Sequence, residues 1–253
     1  PAARYKARMT VYFQQEADDW STEGKYEAFR QYYTGVEVYL DPGKHSSRLT
    51  ATTIGATTQT YSTAGDGYDP HGNMLRMSQL QVLQWDYRDH LAMTRRQAVD
   101  ATDADGLQHQ GERTYYTYDA AGERVRKVTV LASGEIKDER LYLGGFEIHR
   151  RHGASPLTRE TLHVMEGQQR VALIETRTQG DEAGVPRRLL RYQYGNHLGS
   201  ASLELDDVAQ IVSYEEYTPY GSTSFAAVRS QTETPKRYRF TGKERDEESG
   251  LSY

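Results

Sequence analysis

Three groups of residues in this sequence have the types that can do chemistry. Lys243-Glu244-Arg245-Asp246, followed by Glu247 and Glu248, crowds carboxylates between cations. Such a cluster is either a solvated turn or, on a sharper reading, an ion-pair lock between neighbouring strands. Tyr194-Gly195-Asn196-His197-Leu198-Gly199-Ser200 sets a His beside an Asn and a Ser. A nucleophile there would need His197 to reach Ser200 or Ser202 and a third group to orient the imidazole. Asp206-Asp207 and Glu215-Glu216 are carboxylate pairs of the kind a glycosidase uses.

Each group also has a plainer reading. Adjacent residues on a strand point to opposite faces, so neither carboxylate pair can flank one sugar. Asn196 and Gly199 suit a tight turn, and nothing else in the sequence supports a catalytic His197. His149 and His152 sit near a strand end without further ligands, which leaves no metal site. The dinucleotide fingerprint, the P-loop, the zinc-protease helix motif, the serine-hydrolase elbow and the EF-hand loop are all missing. No catalytic residue, cofactor or metal is therefore assigned.

Composition narrows the classes further. Net charge is -5 with the basic residues dispersed, which disfavours nucleic-acid binding. The chain has no Cys, so disulfides and thiolate chemistry are excluded. No apolar run is long enough for a membrane-spanning helix. At 253 residues the chain can bury a core, yet its 20 Tyr outnumber its 5 Phe, so buried rings bring hydroxyls that need partners. A sheet with one dry and one wet face suits that mixture. The first residue is Pro1 and no signal peptide is present, which reads as a piece cut from a longer polypeptide.

The elements that must position these groups read as strands. Tyr68-Asp69-Pro70-His71-Gly72-Asn73-Met74-Leu75 and Tyr118-Asp119-Ala120-Ala121-Gly122-Glu123-Arg124-Val125 share the pattern Tyr-Asp-x-x-Gly-x-x-aliphatic. Asp opens a type I turn by accepting backbone N–H bonds, and Gly at the fourth position supplies the positive φ that closes a hairpin with a bulge. Thr218-Pro219-Tyr220-Gly221 after Tyr217 is a variant, and Asp181-Glu182-Ala183-Gly184 offers the same turn grammar without the Tyr. Strands are expected at Met9 to Phe13, Val36 to Leu40 before a turn at Asp41-Pro42-Gly43, Leu141 to Arg150 with a Gly144-Gly145 bulge, Thr161 to Met165, Arg170 to Thr176, Leu189 to Tyr194, Ala201 to Leu205 and Gln210 to Tyr217. The i, i+3, i+7 spacing of Tyr26, Phe29 and Tyr33 suits a short helix. Residues 46 to 67 read as a loop or a polar strand pair, and 97 to 112 as a hairpin loop or insertion. Alternation over 201–206 puts Ala201, Leu203 and Leu205 on the core and Ser202, Glu204 and Asp206 in water. Tyr238 and Phe240, alternating with Arg237 and Arg239, read as a half-buried strand that Gly242 breaks.

The string Arg-Phe-Thr-Gly-Lys-Glu-Arg-Asp-x-Glu-Ser-Gly-Leu-x-Tyr over 239–253, with Phe240, Gly242, Lys243, Glu244, Arg245 and Asp246 at its centre, resembles the signature of the Rhs-repeat-associated core domain. That domain is found in Rhs (YD-repeat) proteins and in the C subunits of bacterial Tc toxins. The two Tyr-Asp turns resemble YD repeats, whose hairpins lie side by side in one continuous sheet. Trp85-Asp86-Tyr87-Arg88-Asp89-His90-Leu91 looks like a degenerate third copy, and Tyr194 to Ser200 resembles a family motif that often carries Asp where this chain has Asn196. The resemblance implies an all-β fold with residues 1–45 unassigned, YD-repeat hairpins over 46–135, and the last repeats with the start of the core domain over 136–253. It further implies a hollow shell around a C-terminal toxin, secreted or delivered by a bacterial secretion system. Expected partners are the rest of the parent polypeptide, its toxin cargo, and a Tc-type B subunit or secretion-system component. Tyr68, Asp69, Gly72, Tyr118, Asp119, Gly122, Tyr194, His197, Gly199, Tyr217 and Gly221 are then structural residues of the wall. The rival is a secreted glycan-binding adhesion module, which would gather exposed Tyr and Trp around one groove.

Overall fold

The computed structural model describes residues 6–9, 27–30, 36–40, 48–54, 57–61, 67–77, 80–96, 111–219, 221–229 and 236–253. The turn expected at 41–43 and the insertion at 97–110 lie outside them. The strands are β1 (Lys6–Met9), β2 (Glu27–Arg30), β3 (Val36–Leu40), β4 (Leu49–Ile54), β5 (Thr57–Thr60), β6 (Leu80–Trp85), β7 (Leu91–Arg96), β8 (Arg113–Tyr118), β9 (Arg124–Val130), β10 (Ile136–Tyr142), β11 (Phe146–Arg151), β12 (Leu157–Glu166), β13 (Gln169–Gln179), β14 (Arg188–Gly195), β15 (Ala201–Leu205), β16 (Ile211–Tyr217) and β17 (Thr223–Val228). A single 3-10 turn, Phe240–Gly242, is the helical element among the described residues. The all-β reading holds.

The chain divides into two compact units, one of residues 1–15 and 31–111, the other of residues 16–30 and 112–253. In the first, β1, β3, β4 and β5 form an antiparallel sheet in that order, and β6 pairs with β7 as a hairpin. The stretch 46 to 67 thus contains a polar strand pair. Trp85, at the end of β6, donates its indole N–H to Met74 O at 2.8 Å.

The second unit is one open, curved antiparallel sheet whose strands run β2-β17-β16-β15-β14-β13-β12-β11-β10-β9-β8. From β8 to β17 every strand pairs with its sequence neighbour. Register shifts between Ile136 and Asp138, Val164 and Met165, and Glu204 and Leu205 mark bulges, which bend the bulged strands. The helix expected around Phe29 is replaced by β2, because pairing of Glu27–Arg30 with Val228–Phe225 of β17 overrides a local spacing signal. The Gly144-Gly145 signal marks a turn, not a bulge: Leu143 N–H donates to Phe146 O at 2.8 Å, with Gly144 at φ 66.

One turn geometry joins most of these strands. At Asp69, Asp86, Asp119, Leu131, Asn196, Asp206 and Thr218 the residue's N–H reaches the carbonyl four positions on, and its own carbonyl accepts from the third. The residue at that third position has positive φ, as at Gly72 (100) and Gly122 (86). Where Asp or Asn opens the turn, its side-chain oxygen takes two further N–H donors; Asp69 Oδ1 takes those of Gly72 and Asn73, both at 2.8 Å. Asp181 does not open such a turn. There Val185 N–H donates to Glu182 O, one residue later than the sequence grammar suggests.

The two faces of the larger sheet differ sharply. Register places Phe146, Leu162, Ile174 and Leu190 in one row, and Val164, Ala172, Tyr192 and Leu205 in the next. On this apolar face Leu162 is 45% exposed and Tyr194 54%. The opposite face carries Tyr116, Lys127, Arg140, Glu147, Thr161, Glu175, Arg191, Gln193 and Glu204, and it is the buried one: Glu147 is 1% exposed and Glu204 0%. The expectation that Glu204 faces water is therefore corrected. Charge lies on the covered side of the sheet.

Candidate functional site: a buried ion-pair network

The cover over that charged face is the segment Lys236–Tyr253. It is not the half-buried strand expected from its alternation. It forms a compact strap with isolated bridges Tyr238↔Glu244 and Arg245↔Ser252, closed by Arg239 N–H to Lys243 O, Arg245 N–H to Arg237 O and Tyr253 N–H to Glu244 O. Its backbone bonds to the sheet at one place among the described residues, from Ala201 N–H to Arg239 O at 3.0 Å. Side chains make the remaining contacts.

Asp246 is 1% exposed, which corrects the solvated-turn reading of the Lys243 to Glu248 cluster and leaves the ion-pair lock. Arg124 on β9 grips both its oxygens, at 2.8 and 2.9 Å, the bidentate fit that a planar guanidinium makes with a carboxylate. Three aromatic rings face the same guanidinium, Tyr253 at 3.9 Å, Tyr116 at 4.7 Å and Tyr142 at 6.0 Å from its carbon, adding cation–π attraction in a dry site. Lys127, also on β9, has its Nζ 2.6 Å from Asp246, 3.3 Å from Glu248 and 3.6 Å from Glu244. Tyr142 donates to Glu244 at 2.8 Å and Tyr116 to Glu248 at 3.0 Å.

A second carboxylate, Glu147 of β11, receives Arg140 at 3.1 Å, Arg237 at 2.8 Å, His163 at 2.8 Å and a short hydrogen bond from the Tyr238 hydroxyl. Arg170 stacks on the Tyr238 ring at 3.5 Å and donates to Gly242 O. A third centre is Glu215 of β16, paired with Lys236 at 3.1 Å and with Arg239, and accepting from Thr223, with the Tyr217 hydroxyl oxygen 3.0 Å away. Beside it Glu204 takes Arg191, Gln193 and Ser213.

The electrostatics follow from this packing. Burial pushes the Glu147 carboxyl up, but Arg237, then His163 and Arg140, outweigh it and hold it well below the usual carboxylate range. Glu244 is lowered in the same way, burial being outweighed by Lys127, Arg237 and Arg140. Glu248 goes the other way, raised by burial and by Asp246 although Lys127 opposes. Burial lowers Lys236 to about 8, even with Glu215 in contact. Asp246, Glu147, Glu244, Glu215 and Glu204 each meet a cation within the fold, the arrangement of an ion-pair lock.

The other residues singled out by sequence have plain places. Tyr68 donates to Leu49 O at 2.7 Å and is buried. The Tyr118 ring lies 6.0 Å from that of Tyr253, next to the Asp119 tip. Asn196 Oδ1 takes the N–H groups of Leu198 and Ser200, so the Asn196 turn is closed by an Asn as an Asp would close it, with Gly199 at φ 75. His197 is exposed at that tip, whereas Ser200 is fully buried and accepts from Thr241 N–H at 2.9 Å. No hydrogen bond joins the two among the described residues, and the nucleophile reading gains nothing. Tyr217 donates to Ala201 O at 2.8 Å and packs on Phe240 at 5.8 Å; Gly221 gives Phe240 its room. Lys243 is exposed and Arg245 half-buried. Tyr194 lies on the apolar face. Sequence reading missed Arg124, Lys127, Arg140, Glu147, His163 and Glu215 as partners of the strap, and Glu204 beside them, since no local pattern links groups that lie 24 residues (Glu215 to Arg239) or 122 residues (Arg124 to Asp246) apart.

No family model matches the chain. The toxin subunit YenC1 of Yersinia entomophaga is 35% identical over 191 residues, which is 74% of this chain and 19% of that protein. YenC2 of the same organism is 33% identical over 145 residues, 54% of this chain and 15% of that protein. The chain thus spans about a fifth or less of the curated relatives it matches. Among solved structures, a TcdB2-TccC3 crystal structure superposes with a TM-score of 0.68 at 24% identity, over 98% of this chain and 13% of that one. A Photorhabdus luminescens Tc holotoxin pore containing a mutated TccC3 gives 0.69 at 24%, over 98% and 12%. At such identity the structures share the fold.

Proposed function

This chain is an Rhs/YD-repeat segment of the kind found in Tc toxin C subunits, and from that premise we propose that it is a stretch of shell wall enclosing a toxin and performs no catalysis of its own. The observation that carries the reading is the strap: its buried charges are spent on the sheet behind it, Asp246 on Arg124 and Lys127 and Arg237 on Glu147, so they brace a wall rather than face a substrate. The parent is delivered outside the cell that makes it, with the wall closed by neighbouring repeats and by a B-type subunit such as the TcdB2 that was solved together with TccC3.

The test is protease protection in the parent polypeptide. Intact, the toxin region should resist proteinase K; deleting the β12–β13 hairpin, Leu157–Gln179, should open the wall and render that region sensitive. Equal protection in both would remove the containment reading. Glycan binding draws no support from the described cleft of about 480 Å³ lined by Arg188, Leu190, Asp206, Val212 and Arg229, which contains no aromatic residue.

A further inference from the structure

The strap is joined to the sheet in an unusual way. Most elements that cover a sheet bury hydrocarbon, so lifting them exposes apolar surface to water and unfolds the domain. Here the covered face is dominated by Lys127, Arg140, Glu147, Glu175, Arg191 and Glu204, with Leu173 and the Tyr116 and Tyr217 rings among them, while the larger aliphatic rows lie on the opposite side. The strap keeps its own backbone bonds, Arg245 N–H to Arg237 O and Asp246 N–H to Leu251 O among them, and among the described residues shares one backbone-to-backbone bond with the sheet. Lifting it would separate two surfaces made of paired charges and aromatic rings and leave the strand ladder paired.

We infer that Lys236–Tyr253 is an acid-released latch: a preformed strap that lets go of the sheet as a unit, with the strands still paired, when the carboxylates of the ion-pair network take up protons. The groups facing those carboxylates come from several elements. Glu147 is met by Arg140 of β10, His163 of β12, and Arg237 and Tyr238 of the strap. Glu244 is met by Arg124 and Lys127 of β9, by Arg140 and Tyr142 of β10, and by Arg237. Asp246 is met by Arg124 and Lys127, and Glu248 by Lys127, by Tyr116 of β8 and by Asp246 itself. With Glu147 and Glu244 both protonated, Arg140 and Arg237 lose the counter-charges they meet in the docked state, which works against docking.

The order of events has a definite sign. Glu248 is raised, so its ionised form weakens docking near neutral pH and its protonation in mild acid tightens the strap. Glu147 and Glu244 are lowered, so their contribution is complete above the ordinary carboxylate value and lost as pH falls through their folded values. Docking should therefore strengthen slightly before it fails. Salt should do little, because buried pairs are screened far less than exposed ones.

Hydrogen-exchange mass spectrometry on the full chain, corrected for intrinsic exchange and paired with far-ultraviolet circular dichroism, tests this. Expected is a loss of strap protection by about tenfold or more at a pH where β12 and β13 remain protected and the strand signal is unchanged, reversing on neutralisation. Simultaneous loss in strap and strands, or a strap that stays protected until the sheet unfolds, would overturn the latch. So would release at neutral pH in about 1 M salt.

Discussion

Replacing Asp246 by Asn keeps the shape of the side chain and deletes its charge at a point where two cations converge. Arg124 and Asp246 each have 2% of the side chain exposed, and Lys127 lies 2.6 Å from the same oxygen that Arg124 holds at 2.8 Å. Removing one partner of a buried pair costs about 3–5 kcal/mol, mostly because the other charge stays desolvated. Arg124 retains the Tyr253 and Tyr116 rings and Glu244 at 3.8 Å, which argues for the lower figure. At about 3 kcal/mol, and roughly 2–4 °C per kcal/mol for a domain of this size, the melting temperature should fall by about 6–12 °C. Thermal melts followed by circular dichroism measure it, and a cycle with Arg124→Met isolates the pair: the double variant should lose less than the sum of the singles. An Asp246→Asn protein melting within about 1 °C of wild type, or a cycle with no coupling, would show that the strap is not held by these charges.

Other substitutions probe separate parts of the structure. Tyr238→Phe removes a buried donor to Glu147 and should lower stability by about 1–3 kcal/mol in urea unfolding. Gly134→Ala should cost about 1–2 kcal/mol from positive φ alone, since nothing lies near its added carbon. Gly221→Ala should cost about 1–3 kcal/mol more, because the Phe240 ring stands 2.7 Å from where the methyl would be. Asn196→Asp should be neutral within about 0.5 kcal/mol, whereas Asn196→Ala loses two turn hydrogen bonds and about 1 kcal/mol or more. As pH is lowered through the carboxylate range, unfolding free energy should fall, because Glu147 and Glu244 bind protons more readily unfolded than folded; Glu147→Gln should flatten that dependence while lowering stability at neutral pH.

The turns were legible because their chemistry is local. Asp with Gly three residues on dictates both the side-chain acceptor and the positive φ, and Asp69 and Asp119 turn as that pairing requires. The Asp206 tip escaped notice since Ala209 holds φ 61 there without a glycine to announce it. The strap resisted reading for the opposite reason. Its carboxylates look solvated when only their neighbours in sequence are considered, and the cations that bury them sit on β9 and β10. Period-two alternation over 201–206 placed Ala201 in the core correctly, yet polarity put Glu204 in water where it is fully buried. Burial of Glu204 depends on Arg191, Gln193 and Ser213, which a polarity pattern cannot see.

The neighbour-to-neighbour strand order bears on how the chain is made. From β8 to β17 each strand pairs with the one synthesised just before it, so loop-closure entropy stays low and a growing chain can add hairpins at the pace of translation. The strap breaks that locality. Its contacts to β8 and β9 span 122 residues from Arg124 to Asp246 and 132 from Tyr116 to Glu248. Until it emerges, the charged face is satisfied by its own pairs, such as Arg140 with Glu147 and Arg191 with Glu204, and by water, which keeps the unfinished sheet soluble where a hydrocarbon core would invite aggregation. Closure thus comes last and requires a correctly assembled sheet, because a one-residue slip in any hairpin would turn Arg124, Lys127 or Glu147 away from the strap. The network then serves as a proofreading step on the order of everything translated before it.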